Sequence, residues 1–256
     1  MNGKPLILAV ETSGRLGSVA LARGESLLAK ADLSGPMRHS AELFPAVGNL
    51  LSSASQKPNQ IDHIYISVGP GSFTGLRIAV TLAKTMHLAN AAKIVAVDTL
   101  DVIAANVTSP AADAAPRPGP DKIAAVLDAK RGRFFIAVYQ RTAATQPEAS
   151  PPRTQELVHE EIWKKTLPDS LMTASQFLEK LAAPPRPVWL LGEGLVHYQD
   201  KFKAENVRFL DEKYWIPTAA NVHLLGWKKA RAGQFADPVN LQPNYLRLPD
   251  VKVKQP

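Results

Sequence analysis

The sequence contains no cysteine, which excludes disulfide bonds, thiolate metal ligands and a cysteine nucleophile. It also lacks any run of about 18 apolar residues, so we expect no membrane-spanning helix. No two of its histidines lie three or four residues apart, so no helix can present the histidine pair typical of zinc hydrolases. They are His39, His63, His87, His159, His197 and His223. No G-x-S-x-G turn is present to hold a serine nucleophile. We therefore expect neither a metallopeptidase nor a serine hydrolase.

The composition favours a folded chain with a basic surface. Hydrophobic residues make up 45% of the sequence, enough for a buried core, and the formal net charge is +7. Much of the positive excess lies near the C-terminus, at Lys228, Lys229, Arg231, Arg247, Lys252 and Lys254. Such a tail can follow a nucleic acid backbone, or it can be a solvated helix face and a frayed end. The short apolar run at residues 1–10 meets Glu11 at once, so we interpret it as a strand and expect a cytoplasmic protein.

The first part of the sequence predicts three antiparallel strands, followed by alternating helices and strands. The first three strand segments are short and are joined by turns that contain glycine. Segment 39–54 carries apolar residues at spacings of three and four, as in a helix, whereas segment 61–68 alternates, as in a strand. The predicted strands are 6–12, 18–22, 26–33, 61–68 and 94–97, and the predicted helices are 39–54, 73–90 and 98–107. The element order is therefore βββαβαβα.

A segment rich in proline and alanine, residues 108–120, is the predicted boundary. It divides an N-terminal half, residues 1–108, from a C-terminal half, residues 109–256. A second proline-rich loop is predicted at residues 140–153. The C-terminal half contains predicted strands 122–128, 133–139 and 188–191 and predicted helices 174–181 and 219–232. The last of these helices can pack back on the first half.

The two halves share a local pattern. VETSGRLGSVALA, which begins at Val10, is similar to LDAKRGRFFIAVY, which begins at Leu127. Each contains a strand that ends in an acidic residue, a small and basic turn with glycine, and a second strand. A duplicated βββαβαβα-type unit resembles the actin-like ATPase architecture. The predicted fold class is therefore α/β, an actin-like (ASKHA, ribonuclease H-like) fold with two related halves around a cleft.

The loop Gly-Pro-Gly-Ser-Phe-Thr-Gly at residues 69–75 joins a predicted strand to a predicted helix. Backbone amides at a helix start favour anions, and hydroxyl groups in the loop can add donors. Alternatively, the loop is a tight turn whose hydroxyl groups only cap the helix. It is not a P-loop, because no Gly-Lys-Ser/Thr follows, and its third glycine falls one residue late for a dinucleotide fingerprint. The candidate nucleotide-binding residues, which can equally be structural, are Glu11, Thr12, Ser13, Gly71, Ser72 and Thr74.

Glu11 and Asp128 end equivalent strands of the two predicted halves. In an actin-like enzyme, carboxylates at such places hold Mg²⁺ or orient water across the cleft. In a degenerate copy they would only accept hydrogen bonds from turn amides. Both possibilities are open, so an active phosphotransferase or ATPase that uses Glu11 and Asp128 with magnesium is the alternative function.

Several segments resemble the bacterial TsaB family, also called YeaZ, and together they span nearly the whole chain. The most specific is SVGPGSFTGLRIAVTLAK, residues 67–84. ILAVETSGRLGSVALARG, HSAELFPAV, VDTLDVIAANV, VLDAKRGRFFIAVY, LLGEG and PNYLR match in order. The sister TsaD transferases carry an H-x-x-x-H metal motif, whereas the corresponding region here has only His39. The chain is therefore similar to TsaB, the paralogue that lacks the metal centre.

This resemblance implies an accessory subunit that is not an enzyme by itself. It would be required to form threonylcarbamoyladenosine in tRNAs reading codons that begin with A. It implies a heterodimer with TsaD, which carries the chemistry, a third partner in the ATPase TsaE, and indirect contact with tRNA through the complex. A homodimer is possible in the absence of TsaD. We expect no catalytic residue, no metal and no intrinsic cofactor, although ATP or ADP can bind at the interface of the complex.

The resemblance also implies that partners bind through the two N-terminal helices, 39–54 and 73–90. The first carries more large apolar residues than a narrow core stripe requires, so we expect some of them to contact TsaD. The alternative is that all of them pack on the sheet. The predicted interface residues are His39, Leu43, Phe44, Val47, Leu51, Leu76, Arg77, Val80 and Ala83.

Overall fold

The computed structural model of the chain describes residues 3–35, 38–107, 120–142, 163–181 and 186–247. Nearly all of the predicted boundary segment 108–120, most of loop 140–153 and the basic residues Lys252 and Lys254 lie outside these ranges. None of the helices within the described residues has the length and hydrophobicity that a membrane span requires.

The first described part contains five strands and three helices in the predicted βββαβαβα order. They are β1 (Leu6–Glu11), β2 (Ser18–Arg23), β3 (Ser26–Asp32), α1 (His39–Ser53), β4 (His63–Gly69), α2 (Phe73–Asn90), β5 (Lys93–Asp98) and α3 (Thr99–Ala104). Strands β1, β2 and β3 are antiparallel, and β4 and β5 extend the sheet in parallel with β1. The predicted meander and element order are therefore confirmed.

The second described part contains five more strands and two helices. They are β6 (Lys122–Asp128), β7 (Arg133–Arg141), β8 (Trp163–Thr173), α4 (Ala174–Leu181), β9 (Val188–Leu191), β10 (Val207–Phe209) and α5 (Ala219–Arg231). Short 3₁₀ turns cover Glu193–Leu195, Gln199–Phe202 and Glu212–Tyr214. The sequence predicted β6, β7 and β9 and both helices, but not β8 or β10.

The two sheets have the same topology. Their strand orders are β3-β2-β1-β4-β5 and β8-β7-β6-β9-β10, with the same antiparallel and parallel pairings at corresponding places. The local pattern at residues 10–22 and 127–139 is thus the start of a repeated unit, and the predicted duplicated α/β fold is confirmed.

Alternation along β1 gives the first sheet two buried faces. Leu6, Leu8 and Val10 pack in one apolar cluster with the inner sides of α1 and α2. Ile7 and Ala9 point to the opposite face, where they pack in a cluster that includes Val222 of α5. Helices α1 and α2 therefore share one side of this sheet, and α5 covers the other.

After α5, the C-terminal segment (residues 233–247) crosses the edge of the first sheet and reaches the second. The Ala236 amide donates to the Ile94 carbonyl over 2.8 Å, and the Asn244 amide donates to the Val68 carbonyl over 2.7 Å. Further along, Arg247 Nη1 donates to the Ala129 carbonyl, 2.5 Å away in the turn between β6 and β7. The segment therefore forms hydrogen bonds with both halves of the fold.

Candidate functional site

A cleft of about 890 Å³ lies where the repeated units face each other. The turn between β1 and β2 and the start of α2 line it from the first sheet, and the turn between β6 and β7 lines it from the second. The 3₁₀ turn after β9 and the end of the C-terminal segment complete the lining. Its acidic, basic and histidine lining residues are Arg15, Asp128, Lys130, Arg131, Glu193, His197 and Arg247. The lining therefore has more cationic than anionic side chains.

The cleft brings together four of the six candidate nucleotide-binding residues: Ser13, Gly71, Ser72 and Thr74. The other two, Glu11 and Thr12, are fully buried and are not among the lining residues. Both form hydrogen bonds with other residues of the chain, as described below.

The carboxylate of Glu11 is saturated by hydrogen bonds from neighbouring strands and turns. The amide of Ser13 donates to Glu11 Oε1 over 2.6 Å, the Ser13 hydroxyl donates to the same oxygen, and the Ser67 hydroxyl donates to Oε2. Burial raises the pKa of Glu11, although these hydrogen bonds act in the opposite direction. Glu11 therefore joins β1 to β4 and leaves no oxygen facing the cleft.

Asp128 makes the corresponding contacts at the end of β6. The Lys130 amide donates to Asp128 Oδ1 over 2.7 Å, and Lys130 Nζ lies 2.8 Å from Oδ2. Both strand-end carboxylates thus accept a hydrogen bond from the amide two residues later. Within the described residues no three His, Cys, Asp or Glu side chains are grouped to hold a metal ion. The contacts observed for both carboxylates are those of turn stabilisation.

The loop before α2 is packed tightly against the end of β1. A Cβ atom on Gly75 would lie 1.8 Å from the Thr12 carbonyl oxygen, so only glycine lets the helix approach this closely. The Thr12 hydroxyl donates to the Gly75 carbonyl over 2.8 Å, and the Ser72 amide donates to the Ser13 carbonyl over 2.7 Å. These contacts fix the start of α2 at the cleft wall.

Ser72 caps its own helix, because its hydroxyl accepts a hydrogen bond from the Gly75 amide over 3.3 Å. Thr74 is exposed on the first turn of α2, and Gly71 lies against the Ser13 backbone. The contact of the Ser72 hydroxyl is therefore that of a helix cap, as in the structural alternative given above.

The sequence did not single out a second set of contacts across the cleft. Glu193, in the 3₁₀ turn that follows β9, accepts a hydrogen bond from the Arg15 amide over 2.8 Å. Burial raises the pKa of Glu193, and the nearby Arg15 and Leu16 amides and the Arg15 charge oppose this effect. Arg15 Nη1 also lies 3.0 Å from His197 Nε2, which accepts when the ring is neutral. These contacts tie the first turn of one unit to the other unit.

Five of the predicted interface residues are core residues. Leu43 and Leu51 of α1 and Leu76, Val80 and Ala83 of α2 are buried by the chain's own packing. For these five the prediction of partner contact is corrected, because a sheet-packed helix turns one residue in every three or four inward.

Of the remaining predicted interface residues, two are exposed and one is not. Phe44 is 62% exposed and Arg77 is exposed, whereas Val47 is half-buried and packs against the core cluster under α1. The Arg77 guanidinium stacks 3.8 Å from the centre of the Phe73 ring and donates to the Tyr245 hydroxyl over 3.1 Å. The side chain of His39 is outside what the structure describes. Leu88, which the sequence analysis did not select, is 85% exposed near the end of α2.

Comparison with known proteins identifies close relatives in sequence. The family model described as TsaD, tRNA N6-adenosine threonylcarbamoyltransferase, matches residues 36–188. The tRNA threonylcarbamoyladenosine biosynthesis protein TsaB of Bacillus subtilis is 30% identical over 97% of this chain and 96% of its own length. The protein of the same name from Escherichia coli is 29% identical over 94% of each chain.

Solved structures give the same fold. YeaZ from Pseudomonas aeruginosa superposes with a TM-score of 0.73 at 22% sequence identity, covering 94% of this chain and 100% of that chain. A second structure, of a protein from the same organism with similarity to YeaZ, also superposes with a TM-score of 0.73. The two-sheet architecture is therefore shared over nearly the whole length.

Proposed function

This chain belongs to the TsaB family, and on that premise we propose that it is an accessory subunit required to form threonylcarbamoyladenosine in tRNA. In this proposal it binds a TsaD-type transferase as a heterodimer and activates it. The ATPase TsaE joins the complex, tRNA is contacted through the complex, and the work is done in the cytoplasm. The chain performs no chemistry itself.

The observation that carries the proposal is the exposure of a large apolar side chain on each of the helices α1 and α2. Phe44 is 62% exposed and Leu88 is 85% exposed, while the inner sides of both helices are packed on the sheet. Large apolar side chains gain about 1.5–3 kcal/mol each when they are buried, so such a surface favours association. This supports a partner-binding role for the outer side of the helix pair.

The state of the strand-end carboxylates supports a non-catalytic role. A catalytic carboxylate must reach substrate or a metal-bound phosphate, yet Glu11 is buried and Asp128 is paired with Lys130. Each accepts a hydrogen bond from an amide of its own turn, and Glu11 also accepts one from Ser67 of β4.

Reconstitution tests the proposed function. TsaD, TsaE, tRNA, ATP and a source of threonylcarbamoyl adenylate are incubated with and without this chain, and modified adenosine is quantified by mass spectrometry after nuclease digestion. We expect the modification only when the chain is present. Equal modification in its absence, with competent partners, would contradict the proposal, and ATP hydrolysis by the chain alone would revive the ATPase alternative.

The interface is tested by Phe44→Asp, with Val47→Asp as a second variant and Val196→Asp as the matched control. Val196 is also exposed, at 48%, but belongs to the second unit, directly after the 3₁₀ turn that follows β9. We expect Phe44→Asp to weaken co-elution with TsaD at least about tenfold, since a charge replaces a buried apolar contact. The free energy of unfolding of the isolated chain should change by less than about 0.5 kcal/mol, because Phe44 is exposed. Full co-elution of the Phe44 and Val47 variants would place the interface elsewhere.

A further inference from the structure

One side of α2 faces away from the sheet and lies beside the C-terminal segment. Four residues at spacings of four, three and four share this side of the helix. They are Arg77, Thr81, Lys84 and Leu88, and we call them the outer stripe of α2. Lys84 is half-buried, and the other three are exposed. The outer stripe is therefore open to a partner along its length.

The C-terminal segment runs along the outer stripe in the opposite direction. Arg77 Nε donates a hydrogen bond to the Tyr245 hydroxyl over 3.1 Å. About two turns later along α2, Lys84 Nζ donates to the Val239 carbonyl over 3.2 Å. Position along the helix thus rises as position along the segment falls. A partner that covers the outer stripe must therefore also meet the C-terminal segment.

A closed turn within the C-terminal segment presents one apolar side chain to solvent. The Leu241 amide donates to the Asp237 carbonyl over 2.9 Å, and the Val239 amide donates to Asp237 Oδ1 over 3.0 Å. Leu241 is buried in the apolar cluster shared with α1 and α2, whereas Val239 is 82% exposed. The turn therefore holds Val239 in water on a backbone that is already ordered.

The exposed position of Val239 suits it for association. Its burial would remove apolar area from water, and a turn that is fixed in the free chain loses little conformational freedom when it binds. Leu88, which is 85% exposed, lies one turn of α2 beyond Lys84, the residue that bonds to the Val239 carbonyl. The exposed apolar surface of α2 thus continues onto the C-terminal segment.

We propose that the C-terminal segment is a third element of the partner surface, so that a TsaD-type transferase docks on α1, α2 and the turn Asp237–Leu241 together. The transferase as occupant is taken from the proposed function, on which this inference rests. The continuity of the turn with the outer stripe assigns the same occupant to both. A segment from the far end of the sequence therefore completes a surface that the N-terminal helices begin.

Binding measurements on the full-length chain test this surface. The affinity of the TsaD-type transferase from the same organism is measured calorimetrically for wild type, Val239→Asp, Phe44→Asp and Val196→Asp. Val196→Asp is the matched control, because it places the same charge on an exposed valine of the second unit. We expect Val239→Asp to weaken binding at least about tenfold and Val196→Asp to leave it unchanged. The urea unfolding midpoint of the isolated chain should not change in either variant, because both valines are exposed.

Amide hydrogen exchange tests the same surface in the wild type, without any substitution. Exchange at the Val239 and Leu241 amides is compared in the free chain and in the complex with the transferase. We expect about tenfold slower exchange at both amides in the complex, because the partner covers the turn. Exchange at the Val196 amide should be the same in both states.

The outcomes separate this inference from the proposed function. If Phe44→Asp weakens binding while Val239→Asp binds like wild type, or if exchange in the turn is the same in the complex, the C-terminal segment is not part of the interface and only this inference fails. If wild type does not bind the transferase at all, the proposed function fails and this inference fails with it.

A second copy of this chain is the other possible occupant of the turn. Light scattering gives the molar mass of wild type and Val239→Asp in the absence of the transferase. A dimeric wild type that Val239→Asp converts to a monomer, with unchanged affinity for the transferase, would assign the turn to self-association and overturn the proposal.

Discussion

Replacing Glu11 by glutamine should make the free energy of unfolding less dependent on pH. Burial raises the folded-state pKa of Glu11 above its ordinary value of 4.5, so the folded chain holds this proton more tightly than the unfolded chain. In wild type, stability should therefore fall as the pH rises from about 4.5 through the raised pKa. The glutamine variant lacks this loss. The stability difference in favour of Glu11→Gln should grow by about 1.4 kcal/mol for each unit by which the pKa is raised.

The hydrogen bonds of Glu11 predict that glutamine is tolerated at this position and that alanine is not. Glutamine keeps an oxygen for the Ser13 amide, and the Ser67 hydroxyl can turn to accept from the new amide group. Glu11→Ala leaves the buried Ser13 amide without an acceptor and opens a cavity, so it should cost about 2–3 kcal/mol.

Urea unfolding between pH 4 and pH 9, followed by the fluorescence of the four tryptophans, measures all three proteins. Groups common to them, such as Glu193 and Asp169, cancel in the difference. A pH-independent difference between wild type and Glu11→Gln would refute the buried-carboxylate argument. A wild type that gains stability over the variant as the pH rises would indicate a cation bound to Glu11.

Three further predictions concern α1 and α2, and each is measured by urea unfolding. Gly75→Ala should lower the free energy of unfolding by about 3 kcal/mol, because its methyl group would collide with the Thr12 carbonyl; a loss below about 1 kcal/mol would contradict that packing. Gly48→Ala, at a helical position with no atom within 4 Å of the added Cβ, should raise it by about 0.5–1 kcal/mol, and a loss would show that this side of α1 is not open. Ser72→Ala should cost about 1 kcal/mol through the lost helix cap, and no change would mean that the hydroxyl has another role.

The sequence predicted the elements whose signals are local. Alternation and helical spacing identified β1, β4, α1 and α2 to within one or two residues at each end. Strand β8 was not predicted because its sequence, WKKTLPDSLMT, combines charged residues with Pro168, which is atypical of a central strand. In the structure β8 lies at the edge of its sheet, where such residues are tolerated. Strand β10 has only three residues and carries too little pattern to detect.

The candidate site was less predictable because its contacts join distant residues. Ser67 lies 56 positions from Glu11, and Glu193 lies 178 positions from Arg15, so no local spacing indicates either pair. The LLGEG segment marked Glu193 only as part of a family resemblance. The predicted interface on α1 included both Phe44, which is exposed, and Leu43, which is buried. Residue spacing predicts that a helix forms, but it does not show which of the neighbouring apolar residues face the sheet.

The position of α5 has a consequence for how the chain folds as it is synthesised. Val222 packs in the same cluster as Ile7 and Ala9, more than 200 residues earlier in the sequence. The part of this face that α5 covers therefore stays exposed on the ribosome until α5 has emerged. The second sheet can close around Phe134, Phe177 and Phe202 before that. The half that is made first is thus completed last, and closing so long a loop should make its final docking the slow step of folding.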